Sequence, residues 1–562
     1  MKKTVLCLGL LLCLGRVSCA QEEPALQNDA ILRAMQDEMS RTVGILRLDQ
    51  LEKPYYAAYT VWDGTSSFVE AGFGAVLSEN MKNRYRRASA EVLVGDYAFD
   101  NSKFNYQRPN VSNVAQDAGY DGVRFTLWSM SDGAYKDALE AFSRKKAFKQ
   151  MKSFSEMLQD RTTAQAFRTY VPQEQALPDD AQLRGLAERL SAVFKKYPQV
   201  QESRAALWFA AETQRYLNSE GTEFMVKDTL GQLALRAEGQ AQDGFPIKSG
   251  KDIFFMDAAS IPSVDKLEEE ADRLGREIEE FYKSGTIDAY IGPVLLEGPA
   301  AGEFFFNLFV ANVSNPREEW LSNGVDERMG QLAPKLGLRV LPAFLDVYDD
   351  PSQKDWKGEP LIGSYKVDDE GVPAQRVALA KRGKLLDVYM SRSPIKGKNE
   401  SNGHGRASFR RFASGQPGNV FVSARRESGC VLPAAKLRQR LARMCREMDL
   451  EYGIVIRAFD SFSRESAGYE ARFAAYKVYA SDGHEEPVHG LEIVGLVPAA
   501  LRAIEAVSAE SYVSSYFNPV PVSIVAPAML LGDVEVRKSL VKPDRKPYLE
   551  NPYFAERQGA VK

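Results

Sequence analysis

The chain has 562 residues, 44% of them hydrophobic and 26% charged, with a formal net charge of −4. At roughly 100–200 residues per domain, that is enough chain for two or more domains, each with its own core. The slightly acidic balance argues against nucleic acid as the main partner, because phosphate binding leaves a basic footprint.

Residues 1–20 read as a signal peptide. Lys2 and Lys3 precede an apolar run from Val5 to Leu14, and the small residues Ser18 and Ala20 stand where signal peptidase cleaves. This predicts export to a periplasmic or extracellular space and a mature chain starting at Gln21. A lipoprotein alternative, with Cys19 acylated, is weakened by Arg16, which stands where that signal needs an apolar residue. Later apolar runs, such as 304–311, are far shorter than the ~20 residues of a membrane span, so none is expected. Of five cysteines, Cys7, Cys13 and Cys19 lie in this leader. An oxidising compartment would permit Cys430 and Cys445 to pair. Cys445, however, shares an apolar stripe with Leu437, Leu441 and Met448, which reads as a buried thiol.

Helical spacing opens the mature chain at Ile31, Met35 and Met39. Aromatic and β-branched runs follow between residues 53 and 99, separated by Gly, Asp and Asn, and read as strands. Leu183, Leu186, Leu190 and Phe194 mark another helix, and residues 215–245 read as strands broken at "NSEG" (218–221), taken as a plain turn, and at "QDG". From Val264 the apolar positions Leu267, Ala271, Leu274, Ile278 and Phe281 recur at three-four spacing, predicting an amphipathic helix over 262–282 with a solvated acidic face. The break after it places the main domain boundary. The expected architecture is α+β: a leader at 1–20, a mixed α/β domain at 21–285, a domain built around antiparallel sheet at 286–545 and a tail at 546–562. The second domain begins with the strand-like "YIGPVLLEG", feeds the helix "AAGEFFFNLFVANVS" and contains one more helix at Ala434–Met448.

The stretch His484-Glu485-Glu486-Pro487-Val488-His489 holds two of the three histidines and resembles a zinc peptidase motif. A catalytic zinc needs ligands that converge on one tetrahedral site and a glutamate that reaches the bound water. Histidines five apart diverge by about 140° on a helix and fall on opposite faces of a strand. The "SDG" turn before them, flanked by strand-like runs, predicts a hairpin. The metal reading keeps His484 and His489 as ligands, Glu485 as base and His404 or Cys430 as third ligand.

The segments "NSEG", "IGPVLLEGPAAGEFF", "DDEGVPAQRVALAKRGKLLDVYMSR", "NGHGR" and "YKVYASDGHEEPVHGLEI" together resemble the TldD/PmbA (TldE) metallopeptidase family over most of the mature chain. The resemblance implies a mixed α/β domain followed by an antiparallel sheet domain. It also implies a closed dimer that degrades unfolded or extended peptides. In that family the TldD-type subunit carries H-E-x-x-x-H on a helix early in the second domain and a later cysteine ligand, whereas TldE-type subunits lack them. Here the corresponding segment has Glu297, Gly298 and Glu303 but no histidine, and Tyr512–Arg537 has no cysteine. The resemblance therefore implies a TldE-like subunit with no cofactor of its own, partnered by a zinc-bearing TldD-type chain or by itself. The rivals are a zinc peptidase using His484, Glu485 and His489, and a peptide-binding scaffold acting alone.

Gly403, His404, Gly405 and Arg406 form a Gly-rich loop. It is expected either to line the peptide channel, with Arg holding a carboxylate, or to be an ordinary solvent loop. Glu297 and Glu303 could cooperate as an acid–base pair. The simpler reading is that Glu297 ends a strand and Glu303 lies in the first turn of a helix. No G-x-S-x-G elbow and no phosphate-binding loop occurs.

Overall fold

The computed structural model describes residues 29–543, apart from 153–156, 172–176, 325, 327, 328, 409, 427, 428, 466, 467 and 518. The expected leader, the cleavage point before Gln21 and the tail lie outside the described residues. Helix α1 (Ala30–Ile45) starts where Asp29 accepts a hydrogen bond from the Leu32 amide at 2.8 Å, an N-cap that satisfies one of the orphan donors of the first turn. Two long strands follow, β1 (Pro54–Gly72) and β2 (Ala75–Val94), then β3 (Asn110–Asn113), α2 (Tyr120–Met151) and β4 (Arg168–Val171). The β1–β2 turn has Phe73 and Gly74 both at positive φ, 46° and 80°. That is the turn whose twist suits a hairpin.

Helix α3 (Asp180–Val193) leads to β5 (Glu202–Asn218), β6 (Glu223–Gln240), β7 (Pro246–Phe255) and helix α4 (Val264–Tyr282). The strands form a seven-stranded sheet in the order β3-β2-β1-β5-β6-β4, with β7 on β6. Helix α4 matches its predicted span, burying Leu267, Ala271, Leu274, Ile278 and Phe281. Its acidic face is not merely solvated: Glu268 pairs with Arg189 of α3, and Glu270 with Arg273.

The rest of the chain builds a twelve-stranded sheet. Its longer strands are β8 (Ala289–Leu296), β9 (Leu345–Asp349), β10 (Val377–Lys381), β11 (Asn419–Ala424), β12 (Tyr452–Ile456), β13 (Gly468–Tyr479), β14 (Glu485–Leu496), β15 (Ile504–Phe517) and β16 (Pro521–Lys538). Most pairings are antiparallel, but β11–β16 and β12–β8 are parallel. Because β16 pairs with both β14 and β8, the path β16-β14-β13-β12-β8 returns to β16 and closes a ring. Inside it lies helix α5 (Pro299–Phe305), packed with Phe304, Phe305, Leu308, Phe309, Val340 and Ile524 in the largest apolar core. Helix α6 (Ala434–Glu447) buries Leu437, Leu441 and Cys445. Cys430 and Cys445 do not form a disulfide, and burial pushes the Cys445 thiol up to about 11. No helix among the described residues is long and apolar enough to cross a membrane.

The two sheets are welded by buried charge. Arg392, fully buried, donates to both carboxylate oxygens of Glu220 at 2.5 and 2.6 Å and to the carbonyl of Thr162. Next to it Arg161 stands 3.4 Å from Glu91 and 3.3 Å from Glu370, with its guanidinium over the Tyr56 ring. The "NSEG" turn thus does more than reverse the chain: Asn218 caps it through the amides of Glu220 and Thr222, aiming Glu220 at Arg392. Lys145 and Asp160, also buried and 2.7 Å apart, extend the network toward Arg317.

Candidate functional site: a two-compartment cleft on helix α5

Helix α5 begins after Gly298, at φ 53°, and Pro299 occupies its first turn, where a missing amide costs nothing. After Phe305 the helix widens into a π turn over Phe306–Val310. Such insertions recur at functional sites because they re-aim side chains. Gly302 packs against β15: a methyl group added there would come within 2.6 Å of the Ser514 hydroxyl. One residue on, Glu303 looks into open space.

That space is a cleft with two compartments. The smaller, about 450 Å³, is bounded by Glu303, Asp252, Gln232, Phe254, Tyr516 and Phe517. The larger, about 530 Å³, runs toward Tyr106, Arg108, Arg317, Arg406, Arg411 and Arg464. Phe306, Asn307 and Phe462 border both and form the waist. Both volumes fall in the ordinary range for ligand sites, roughly 300–1,000 Å³.

Glu303 is the chemically distinctive group. Desolvation, and secondarily the nearby charge of Asp460, push its carboxyl up to about 7. Asp460, an exposed side chain, is raised above its ordinary value in the same direction by desolvation, against the opposing pull of Lys248. Tyr516, whose hydroxyl is buried, is pushed above its ordinary value by desolvation and by Glu303. A carboxyl poised near neutrality at the wall of a cleft is a group able to accept or donate a proton. Glu303 lies beyond the first helical turn, not within it as the sequence suggested. Nor does it pair with Glu297, which is held bidentately by Arg438 at 2.9 and 2.8 Å.

The His-Glu stretch takes the predicted hairpin position. His484 is exposed at the turn, and Glu485 opens β14, ion-paired to Arg438 and to Arg457. His489 is buried, and both ring nitrogens are engaged, Nδ1 with the Ser284 hydroxyl at 2.8 Å and Nε2 with Asp243 at 3.1 Å. Cys430 lies elsewhere, with its carbonyl accepting from the Val507 amide. His484 and His489 therefore do not converge. Among the described residues no group of three or more His, Cys, Asp or Glu side chains is arranged to hold a metal ion. His484, Glu485 and His489, with His404 or Cys430, do not fit a zinc site.

The Gly-rich loop is buried rather than solvated. His404, with no exposed surface, bonds the Asn402 carbonyl through Nδ1 at 2.9 Å, and its Nε2 stands 3.3 Å from Asp349. Gly403, at φ 70°, lies so close to the Pro373 carbonyl that a Cβ would come within 2.2 Å. The Gly405 amide donates to Asp368. Arg406 ties the carbonyls of Pro417 and Pro521 at 2.6 and 2.7 Å, stacks over Tyr365 and forms part of the larger compartment's wall. The first three residues position the loop; Arg406 and the segment after it reach the cleft.

The sequence profile of the PmbA/TldA metallopeptidase C-terminal domain matches residues 290–538. Residues 290–538 therefore form a C-terminal domain of the TldD/PmbA family. Among solved structures, TldE from Thermococcus kodakarensis superposes at a TM-score of 0.58 and 14% identity, over 90% of this chain and 99% of that one. A proposed modulator of a DNA gyrase from Thermotoga maritima superposes at 0.60 and 14%, covering 86% and 96%. A second such protein, from Bacteroides thetaiotaomicron, does so at 0.60 and 10%, covering 90% and 98%. At these identities the likeness is one of fold. No curated protein matches the sequence.

Sequence reasoning missed the raised carboxyl at Glu303 and the basic wall opposite it. The sequence singled out Glu303 only as a partner for Glu297 and the loop arginines only as a candidate channel wall; that Arg108 and Arg464 join Arg406 and Arg411 in one cavity is decided by tertiary folding.

Proposed function

We propose that this TldD/PmbA-family chain is an exported, TldE-like subunit of two domains, 21–285 and 286–545. It dimerises with a zinc-bearing TldD-type chain and contributes peptide-enclosing surface instead of metal. The observation that carries the reading is the environment of α5. At the position where the family resemblance puts the metal helix, this chain presents Glu303 to a cleft, with no histidine on the helix. Its own His-Glu stretch is absorbed into ion pairs and hydrogen bonds of a hairpin. A subunit of this kind supplies shape, charge and closure, so that unfolded peptide is held next to a catalytic centre on its partner.

The test is reconstitution. The mature chain, 21–562, is mixed with a zinc-bearing TldD-type protein from the same source, and association is followed by sedimentation and peptidase activity on an unfolded peptide. The expected result is a stoichiometric complex with activity neither chain has alone. Absence of association, or stoichiometric zinc and peptidase activity in this chain alone, overturns the reading.

A further inference from the structure

The two compartments of the cleft carry opposite charge. The larger is bordered by six cationic side chains, Lys103, Arg108, Arg317, Arg406, Arg411 and Arg464, against the two carboxylates Glu319 and Asp326. Asp326 is already committed, taking the Tyr106 hydroxyl at 2.9 Å and the Glu319 amide at 3.1 Å. On the cationic side, Arg317 is turned toward Asp160 and two carbonyls, and Arg406 toward the carbonyls of Pro417 and Pro521. Arg108 and Arg411 are different: both are exposed at the wall and neither forms an ion pair with a described residue. The smaller compartment reverses the sign. It has no cationic side chain on its wall and two carboxyls, of which Asp252 is clamped by Arg236 at 2.8 Å and Glu303 has no ion-pair partner among the described residues.

We propose that the cleft holds an extended peptide in one direction, its carboxylate-bearing end at Arg108 and Arg411 and its amino end beside Glu303. The proposal rests on the peptide-enclosing reading above and adds a polarity to it. Guanidinium groups bind carboxylates through paired, charge-assisted hydrogen bonds, and an ammonium beside Glu303 would draw its proton off and give it the charge that desolvation now suppresses. The waist of Phe306, Asn307 and Phe462 suits main chain with small or apolar side chains. A nucleotide or other polyanion suits only half of this site, because its far end would face Glu303 and Asp252.

The test uses the full mature chain and isothermal titration with one uncharged heptapeptide in four forms: free at both ends, amidated at the carboxyl end, acetylated at the amino end, and amidated with glutamate as the last residue. The expected result is a loss of about 10-fold or more on amidation and a smaller loss on acetylation. Rescue by the terminal glutamate identifies side-chain acids as ligands too; failure to rescue identifies the chain terminus as the carboxylate recognised. Arg108→Gln with Arg411→Gln, two exposed positions, should abolish the difference between acid and amide. Glu303→Gln should abolish the acetylation effect alone. Equal binding of all four forms overturns the polarity and leaves the peptide-enclosing reading intact, while no binding of any form overturns both. Tighter binding of inorganic phosphate than of any peptide acid also overturns it.

Discussion

Arg392 offers the sharpest test of how the two sheets are joined. Its side chain is fully buried, doubly bonded to Glu220 in the β5–β6 turn and bonded to the Thr162 carbonyl. Truncation to alanine deletes that clamp and leaves Glu220, only 15% exposed, without its ion-pair partner, the Tyr97 hydroxyl still donating to it. It also leaves a cavity beside Tyr56 and Arg161. Removing one member of a buried pair costs about 3–5 kcal/mol, because the remaining charge keeps its desolvation penalty. Glu220→Ala alone should cost less, since Arg392 retains the Thr162 carbonyl. The double variant should be less destabilised than the sum, with a coupling of about 1–3 kcal/mol. Native-state hydrogen exchange reads this locally: the amides of Glu220 and Thr222, which bond Asn218, should exchange roughly 10²–10⁴ times faster in Arg392→Ala. Urea unfolding should show the same loss in midpoint. A loss below about 1 kcal/mol, with unchanged exchange at the turn, would refute the view that this ion pair is what holds the sheets together.

Further expectations concern the cleft and its surroundings. Because Glu303 is raised from 4.5 to about 7 in the folded chain, the native state binds the proton more tightly than the unfolded one. Its contribution is therefore fully present below pH 4.5 and is lost as pH rises through 7, and Glu303→Gln should flatten that slope and stabilise the protein above pH 8 by up to about 3 kcal/mol in thermal or urea unfolding. Gly403→Ala should destabilise by about 2 kcal/mol or more, since φ is 70° and the new methyl meets the Pro373 carbonyl; near-neutral unfolding data would contradict the packing described. Glu485→Gln, at a half-exposed ion pair, should cost no more than about 1 kcal/mol and leave metal content unchanged. His489→Ala should cost about 1–3 kcal/mol through Ser284 and Asp243, whereas His484→Ala, at an exposed turn, should change urea stability by less than about 0.5 kcal/mol.

Much of the architecture is legible residue by residue. The three-four spacing of Leu267, Ala271, Leu274, Ile278 and Phe281 gave α4, and "SDG" between strand-like runs gave the β13–β14 hairpin, with Gly483 at φ 78°. From the hairpin followed the divergence of His484 and His489, because alternation along a strand is a local property. The Gly-rich loop was legible as a special backbone position through Gly403, but not as buried, since burial depends on Pro373, Asp349 and Asp368 arriving from other parts of the chain. The lone turn "NSEG" carried no hint that Glu220 would meet Arg392, which is 172 residues away.

By itself, then, the sequence determined periodicity, turns and the family's order of segments, because these depend on backbone preference and on the neighbours a residue has along the chain. Only the tertiary structure decided which charges are buried and paired, that Glu303 titrates near neutrality, and that one cleft has a basic end and an acidic end. Those properties are set by desolvation and by charges brought together from distant parts of the chain, such as Asp460 beside Glu303, and Arg108 and Arg411 at the other end of the cleft.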